Sequence, residues 1–180
     1  MHSIDLNCDL GESFGAYTIG LDETVTPHVT SVNIACGWHA GDPLVMERTV
    51  ALAKQCGVAI GAHPGFPDLL GFGRRELKVS PDEVYAYVKY QIGALYAFAR
   101  SHHMELQHMK AHGSLYNMAG KDIRLAEAMC RACRDFDSQL ILLALAGSKM
   151  EEAAQQMGVP CAREFFADRA YSPDGSLAPR

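Results

Sequence analysis

The sequence predicts an α/β fold in which a parallel β-sheet is covered by helices. Short apolar runs alternate along the chain with longer segments of helical periodicity, and the connections between them are short. The chain has 180 residues, of which 48% are hydrophobic and 21% are charged, an ordinary globular balance. That length allows one domain with a sizeable core.

Six runs of six to eight residues predict the strands. Continuous apolar runs of this length are typical of strands that are buried on both faces. In chain order the predicted strands are 3–9 (SIDLNCD), 30–36 (TSVNIAC), 58–63 (VAIGAH), 105–110 (ELQHMK), 138–145 (SQLILLAL) and 161–168 (CAREFFAD).

Four longer segments predict helices, and two of them carry clear boundary signals. Asp42 can cap the first, Pro43 occupies its first turn, and Gly57 is suited to end it. Ser80 begins the second and forms a capping box with Glu83. The predicted helical segments are 41–57, 80–103, 122–136 and 148–158.

Composition excludes several classes of partner. The formal net charge is -5 and no basic cluster is long enough for nucleic acid. There is no run of 18 apolar residues for a membrane span, and the N-terminus does not have the pattern of a signal peptide. Cys130 and Cys133 form one CxxC inside a predicted helix, which indicates ordinary helix residues rather than a zinc site. We therefore expect a cytoplasmic protein with reduced cysteines.

The chain contains no linker, low-complexity segment or repeat, so we expect one domain over residues 1–180. Its sheet could be an open, doubly wound sheet or a closed barrel. Periodicity alone does not separate these two architectures.

Polar residues follow five of the six predicted strands. All the strands of a parallel sheet end on the same side, where ligands bind in both architectures. Residues far apart in sequence should therefore converge in space. They are Asp9 and Glu12 after the first strand, His39 and Asp42 after the second, His63, Asp68 and Arg74 after the third, Lys110, His112 and Tyr116 after the fourth, and Asp168, Arg169 and Tyr171 after the sixth.

Three histidines, His39, His63 and His112, occupy equivalent positions after successive strands, and we predict that they face one pocket. Imidazoles with carboxylates suit acid–base chemistry near neutral pH, and they also suit a hydrolytic divalent metal. The sequence has neither a GxSxG elbow nor a GxxxxGK[ST] phosphate loop. The residues alone thus indicate a pocket of the hydrolase or ligase type, without a defined substrate.

Five long motifs resemble the LamB/YcsF family: DLNCDLGESFG, SVNIACGWHAGDP, GVAIGAHPGFPDLLGFGRR, HMKAHGSLYN and EFFADRAYSPDGSLAPR. They occur in order along the whole chain, which makes the resemblance far more specific than any single histidine. It implies an irregular, TIM-like β/α barrel similar to those of glycoside hydrolases and polysaccharide deacetylases. The family continues beyond this point with another strand and helix, so an incomplete barrel is expected here.

The resemblance also implies an activity, the ring opening of 5-oxoproline to glutamate with ATP as co-substrate, carried out together with two partner subunits, B and C. On this basis the expected catalytic residues are Asp9, Glu12, His39, His63, His112 and Asp168. The expected substrate-binding residues are Asn7, Asp42, Arg74, Lys110, Tyr116 and Arg169.

Two other hypotheses remain open at this point. One is a metal-dependent, deacetylase-like amide hydrolase, with Asp9, His39 and His63 as candidate metal ligands and His112 as an acid. The other is a non-catalytic subunit that holds substrate for its partners.

Overall fold

The chain alternates strands and helices from end to end in the computed structural model, which describes residues 4–173, 175, 177 and 178. The strands are β1 (Asn7–Leu10), β2 (Ser31–Ala35), β3 (Ala59–His63), β4 (Leu106–Met109), β5 (Ile141–Leu145) and β6 (Cys161–Glu164). The helices are α1 (Asp22–Val25), α2 (Pro43–Cys56), α3 (Pro81–Ser101), α4 (Gly113–Ala119), α5 (Ile123–Phe136) and α6 (Lys149–Met157), and a 3₁₀ turn spans Thr26–His28.

The strand order settles the choice between an open sheet and a barrel. All six strands are parallel, and their spatial order is their order in sequence, β1-β2-β3-β4-β5-β6. A doubly wound sheet reverses its strand order at a switch point, which sends helices to both faces. Here the strands follow one another without reversal, which places the helices on one side, and the sheet curls into a half-barrel.

The outer face of the sheet carries the apolar core. Side chains alternate between the faces along each strand, so Val32 and Ile34 of β2 and Ile60 of β3 point towards the helices. All three are fully buried, and they pack in one cluster with the inward faces of α2, α3, α5 and α6. The inner face of the half-barrel is different, because polar side chains occupy it along β1 to β4.

The boundary signals in the sequence act as predicted. The Asp42 side chain accepts hydrogen bonds from two backbone amides of the first turn of α2, and Gly57 ends that helix at φ 67°. Ser80 and Glu83 form the capping box of α3. Cys130 and Cys133 are buried thiols within α5.

The predicted strands are too long at several ends. Strand β1 begins at Asn7 rather than at Ser3, which lies outside the described residues. Strand β5 begins at Ile141, because the preceding residues form a turn in which Asp137 accepts from Gln139 and Leu140. Strand β6 ends at Glu164 rather than at Asp168.

Sequence periodicity does not predict α4, whose seven residues are too few to show a helical period. No helix in the described part of the chain is long and apolar enough to span a membrane.

Candidate active site

The carboxyl ends of the first four strands bring the three histidines together. The rings of His39 and His112 stack in parallel, with centroids 3.7 Å apart and an interplanar angle of 1°. His63, the last residue of β3, stands perpendicular to both, at 5.4 Å from His39 and 4.9 Å from His112. All three are at least 95% buried. The equivalent positions in sequence thus correspond to one cluster in space.

One glycine makes room for the stacked rings. Gly73 has a φ of 62°, a conformation that side chains disfavour. A Cβ atom there would lie 2.8 Å from Cβ of His39 and 2.9 Å from Cδ2 of His112. The glycine-rich loop after β3 therefore closes directly over the histidines.

Two backbone carbonyls fix where the ring protons of His63 and His112 lie. Nδ1 of His63 donates to the carbonyl oxygen of Lys110 at 2.7 Å, and Nε2 of His112 donates to that of Phe72 at 2.8 Å. A carbonyl can only accept, so neutral His112 has its lone pair on Nδ1. That lone pair lies 3.0 Å from Nε2 of His63. The contact between these two nitrogens therefore needs either one added proton or a metal ion between them.

The charges around the two rings favour an added proton on His63 rather than on His112. Burial opposes a charge on His63, but the Asp9 carboxylate, whose Oδ2 is 3.5 Å from Nε2, outweighs it and raises the pKa of His63. Burial and the neighbouring charge of His63 lower the pKa of His112 to about 3.

Asp9 is held as an anion. Its Oδ1 accepts from Nδ2 of Asn33 at 2.7 Å and from Nζ of Lys110 at 3.3 Å, and both of these groups can only donate. Desolvation raises the pKa of Asp9, but the adjacent His63 and Lys110 outweigh it and hold that pKa well below its usual range.

Glu12 joins the two stacked rings from above. Its Oε1 lies 3.1 Å from Nε2 of His39 and 3.5 Å from Nδ1 of His112. Burial raises the pKa of Glu12 and lowers that of His39. Nδ1 of His39 is buried and has no hydrogen-bond partner among the described residues.

The donor set fits a divalent metal ion. Glu12, His39, His63 and His112 each offer one ligand atom, and these atoms all lie within 4.8 Å of one another. Three nitrogens and a carboxylate oxygen match the preference of Zn²⁺. The carbonyl partners of His63 and His112 are the outer contacts that orient metal-binding histidines, whereas His39 has none in the described part of the chain. Of the three ligands suggested by the sequence, His39 and His63 belong to this set and Asp9 does not.

A cavity of about 760 Å³ opens beside the cluster. Its inner end is formed by Asp9, His63 and His112, and its volume lies in the range of small-molecule sites. Four residues expected to bind substrate also line it, namely Arg74, Lys110, Tyr116 and Arg169.

These four residues are not equally free to bind a ligand. The Lys110 ammonium already lies between the carboxylates of Asp9 and Glu164. Arg74 lies over the Phe72 ring at 5.2 Å, and Arg169 donates to the carbonyl of Ala178 at 2.5 Å. The Tyr116 hydroxyl is buried beside the Glu164 carboxylate, and burial together with that carboxylate raises the pKa of Tyr116. Arg74 is therefore better placed than Lys110 to contact a substrate.

The remaining expected site residues lie elsewhere. Asp42 caps α2 and accepts from the amide of Gly15. Asn7 hydrogen-bonds to Ser31 and Asn33 on the inner wall of the sheet. Asp168 is exposed in the turn after β6, outside the residues that line the cavity.

Two residues that contact the site are absent from the sequence-based set. Asn33 lies in the middle of β2, where an alternating pattern with Ser31 could have indicated an inward polar face. The predicted strand 161–168 places Glu164 in its interior, although Glu164 is the last residue of β6. A correct strand end would have placed Glu164 with the other residues at the carboxyl edge.

Comparisons with known proteins place this site in context. The model of the LamB/YcsF family matches residues 4–180. A Clostridium beijerinckii protein named as the A subunit of 5-oxoprolinase is 62% identical over 180 residues, which are the whole of this chain and 71% of the relative. A Pyrococcus abyssi protein of the same name is 59% identical over 98% of this chain and 69% of its own length.

A solved structure shares the fold. The crystal structure of a lactam utilization protein from Thermus thermophilus is similar with a TM-score of 0.96 and 50% identity. The match covers 99% of this chain and 72% of that one.

Proposed function

Since the chain belongs to the LamB/YcsF family, we propose that it acts as the A subunit of an ATP-dependent 5-oxoprolinase. The reaction opens the lactam ring of 5-oxo-L-proline to give L-glutamate. The observation that carries this proposal is the cluster of three histidines and two carboxylates at the inner end of the cavity, together with relatives of that name.

The chemical difficulty is the lactam amide, which resonance protects against water. Transfer of a phosphoryl group from ATP to the amide oxygen would turn that oxygen into part of a leaving group. Water then adds to the same carbon, the ring C–N bond breaks and the ring nitrogen takes up a proton, which leaves an acyl phosphate. A second water displaces phosphate from that carbonyl carbon and gives the side-chain carboxylate of glutamate. The site must supply one group that accepts a proton from water and one that donates a proton to nitrogen.

The geometry suggests which residues fill these roles. Glu12 has a raised pKa and contacts two imidazoles, so it is suited to accept the proton of water. His63 lies at the wall of the cavity and has a raised pKa, so with a proton on Nε2 it is suited to donate to the leaving nitrogen. Asp9 stabilises that imidazolium, and Arg74 is proposed to bind the substrate carboxylate.

The cavity has room for more than 5-oxoproline. The substrate has nine non-hydrogen atoms, which at about 30 Å³ for each water-sized group fill at most roughly 270 Å³. The cavity holds about 760 Å³, and Arg74, Lys121 and Arg169 line it as cationic side chains in addition to Lys110. This supports a site for the phosphates of ATP next to the lactam. We further propose that the B and C subunits take part, since the relatives are named as one subunit of an enzyme.

The test is release of glutamate from 5-oxoproline and ATP by the chain combined with the B and C subunits. His63→Ala should lower turnover by about 10²-fold or more, the usual effect of losing an acid–base group. His103→Asn is the matched control, because His103 is a histidine outside the site with φ 54°, a conformation that asparagine tolerates. Wild-type turnover without ATP, or equal turnover in both variants, would contradict the proposal.

The donor set of Glu12 and three histidines favours a second candidate, a metal-dependent amide hydrolase. A bound divalent ion would supply Lewis-acid polarisation of the amide carbonyl. Metal analysis of the purified protein, followed by assays of amide hydrolysis without ATP before and after chelation, separates the two candidates.

A further inference from the structure

Glu164 is a charged residue on the inner wall that takes no part in the proposed proton transfers. Its side chain is 15% exposed, and its Oε2 lies 3.1 Å from Nζ of Lys110. The other oxygen, Oε1, is buried, and the carboxylate also faces the buried hydroxyl of Tyr116. A charge in such a place is costly unless a nearby opposite charge compensates it.

The contacts of Glu164 continue into the histidine cluster through Lys110 and Asp9. Glu164 contacts Lys110 at 3.1 Å, Lys110 contacts Asp9 at 3.3 Å, and Asp9 contacts His63 at 3.5 Å. The Lys110 ammonium thus lies between two carboxylates, and the Asp9 carboxylate lies between that ammonium and the His63 ring.

The position of the Lys110 ammonium determines which partner the Asp9 carboxylate faces. The side chain of Lys110 is 7% exposed and its ammonium lies 4.7 Å from the centroid of the Phe166 ring, so water compensates little of its charge. Without the Glu164 carboxylate, Asp9 would be the anion left beside it. Lys110 would then approach Asp9, and the Asp9 carboxylate would turn from His63 towards the ammonium.

Glu164 and Asp9 lie on opposite edge strands of the half-barrel. Glu164 ends β6 and Asp9 lies in β1, and among the described residues no strand pairing joins these two edges of the half-barrel. Lys110, which follows β4, bridges them from the inside.

We infer that Glu164 is a positioning residue, which holds Lys110 away from Asp9 so that the Asp9 carboxylate stays on His63. It touches neither the histidines nor the space proposed for the lactam. The catalytic part of this inference rests on the proposed function. The structural part, the contact between Asp9 and His63, does not depend on it.

The experiment compares Glu164→Gln, which keeps the shape and removes the charge, with the wild type. Ring ¹⁵N chemical shifts of His63 at one fixed pH report hydrogen bonding at each nitrogen, and steady-state kinetics are measured with the B and C subunits. We expect the His63 signals to move, kcat to fall by about tenfold or more, and KM for 5-oxoproline to change by less than about threefold.

Two further variants show whether Glu164 acts through Lys110. Glu164→Asp keeps the charge on a shorter side chain, and it should recover part of kcat. The double variant Lys110→Met with Glu164→Gln removes the ammonium that would draw Asp9 away, so its His63 signals should return towards those of the wild type.

Glu105→Gln is the matched control. Glu105 is an exposed carboxylate paired with Arg100 at 3.0 Å, and its loss changes net charge by the same amount without affecting His63. Unchanged His63 signals in Glu164→Gln, or no recovery in the double variant, would overturn the inference. A wild type without 5-oxoproline turnover would instead refute the proposed function, and the ¹⁵N comparison would still decide on Glu164.

Discussion

Gly61 of β3 offers the sharpest test of how the inner wall is built. The residue lies between Asn33 of β2 and His108 of β4 in the register of the sheet. Because Gly61 has no side chain, Nε2 of His108 reaches across it to Oδ1 of Asn33 at 2.7 Å. A Cβ atom at Gly61 would lie 2.2 Å from two atoms of the His108 ring. Gly61→Ala must therefore displace that ring.

The expected cost can be worked out from two contributions. Forcing an extra methyl group into this packed wall costs about 1–3 kcal/mol. Displacing His108 also breaks its hydrogen bond to Asn33, and a buried polar group left without a partner costs about 1–3 kcal/mol more. We expect Gly61→Ala to lower the free energy of unfolding by roughly 2–6 kcal/mol. Activity should fall as well, because Asn33 is the donor that holds Asp9.

Urea denaturation of the isolated chain measures this change, with the midpoint lowered and the slope unchanged. Gly93→Ala is the matched control, since a methyl group added to Gly93 in α3 would meet no atom within 4 Å beyond the backbone of its own helix. Alanine also suits a helix better than glycine by about 0.5–1 kcal/mol. The reasoning further requires coupling: in a His108→Ala background the same Gly61→Ala change should cost at least about 1 kcal/mol less. Equal costs in the two backgrounds would refute it.

Three more predictions follow from the same wall and loops. Gln91→Leu removes the side chain that binds both the amide and the carbonyl of buried Gly65, at 3.0 and 2.9 Å, and should cost roughly 2–5 kcal/mol in urea denaturation. Burial lowers the pKa of His108 to about 4 in the folded state. Its contribution to stability is present above about pH 6.5 and is lost as the pH falls towards 4, with a total of about 3 kcal/mol measured by denaturation across that range. Gly73→Ala places a methyl group 2.9 Å from the His112 ring and should lower turnover by about tenfold or more in the complete enzyme.

Each of these has an outcome that contradicts it. Gln156→Leu, at an exposed glutamine of α6, should leave stability within about 0.5 kcal/mol, and a similarly small cost at Gln91 would argue against the buried contacts. Because His39 and His112 also have lowered pKa values, a His108→Gln variant should keep part of the dependence on pH between about 6.5 and 4 but lose about 3 kcal/mol of it, and an unchanged dependence would assign that part to another group. Normal turnover of Gly73→Ala would show that the loop can yield without disturbing the rings.

The sequence allowed the sheet and the cluster to be predicted, but not the wall beneath them. Short apolar runs identify strands, and parallel strands end at one edge, which is why His39, His63 and His112 could be placed together. The sequential strand order could not be read from these runs, because periodicity reports the faces of an element and not its neighbours. Glu164 was missed because an apolar pair, Phe165 and Phe166, extends the run beyond the true end of its strand.

Asn33 was missed for a different physical reason. A single polar residue inside a buried strand looks like a tolerated exception, and only the fold shows what it contacts. Its amide nitrogen donates to Asn7 and Asp9, and its amide oxygen accepts from His108 and Asn7. These contacts come from other strands of the sheet, so the residues around Asn33 in the sequence could not have predicted them.

The hydrogen bonds of the Asn33 amide limit which substitutions the protein tolerates at that position. Both donors and both acceptor positions of its amide are in use, and no other side chain offers two donors and two acceptors in that shape. Apolar cores accept many substitutions of similar volume, since packing depends more on the volume of a side chain than on which residue supplies it. A saturation mutagenesis scan should therefore show an inverted pattern, in which apolar positions such as Val32 and Ile60 accept several residues, whereas position 33 accepts asparagine alone.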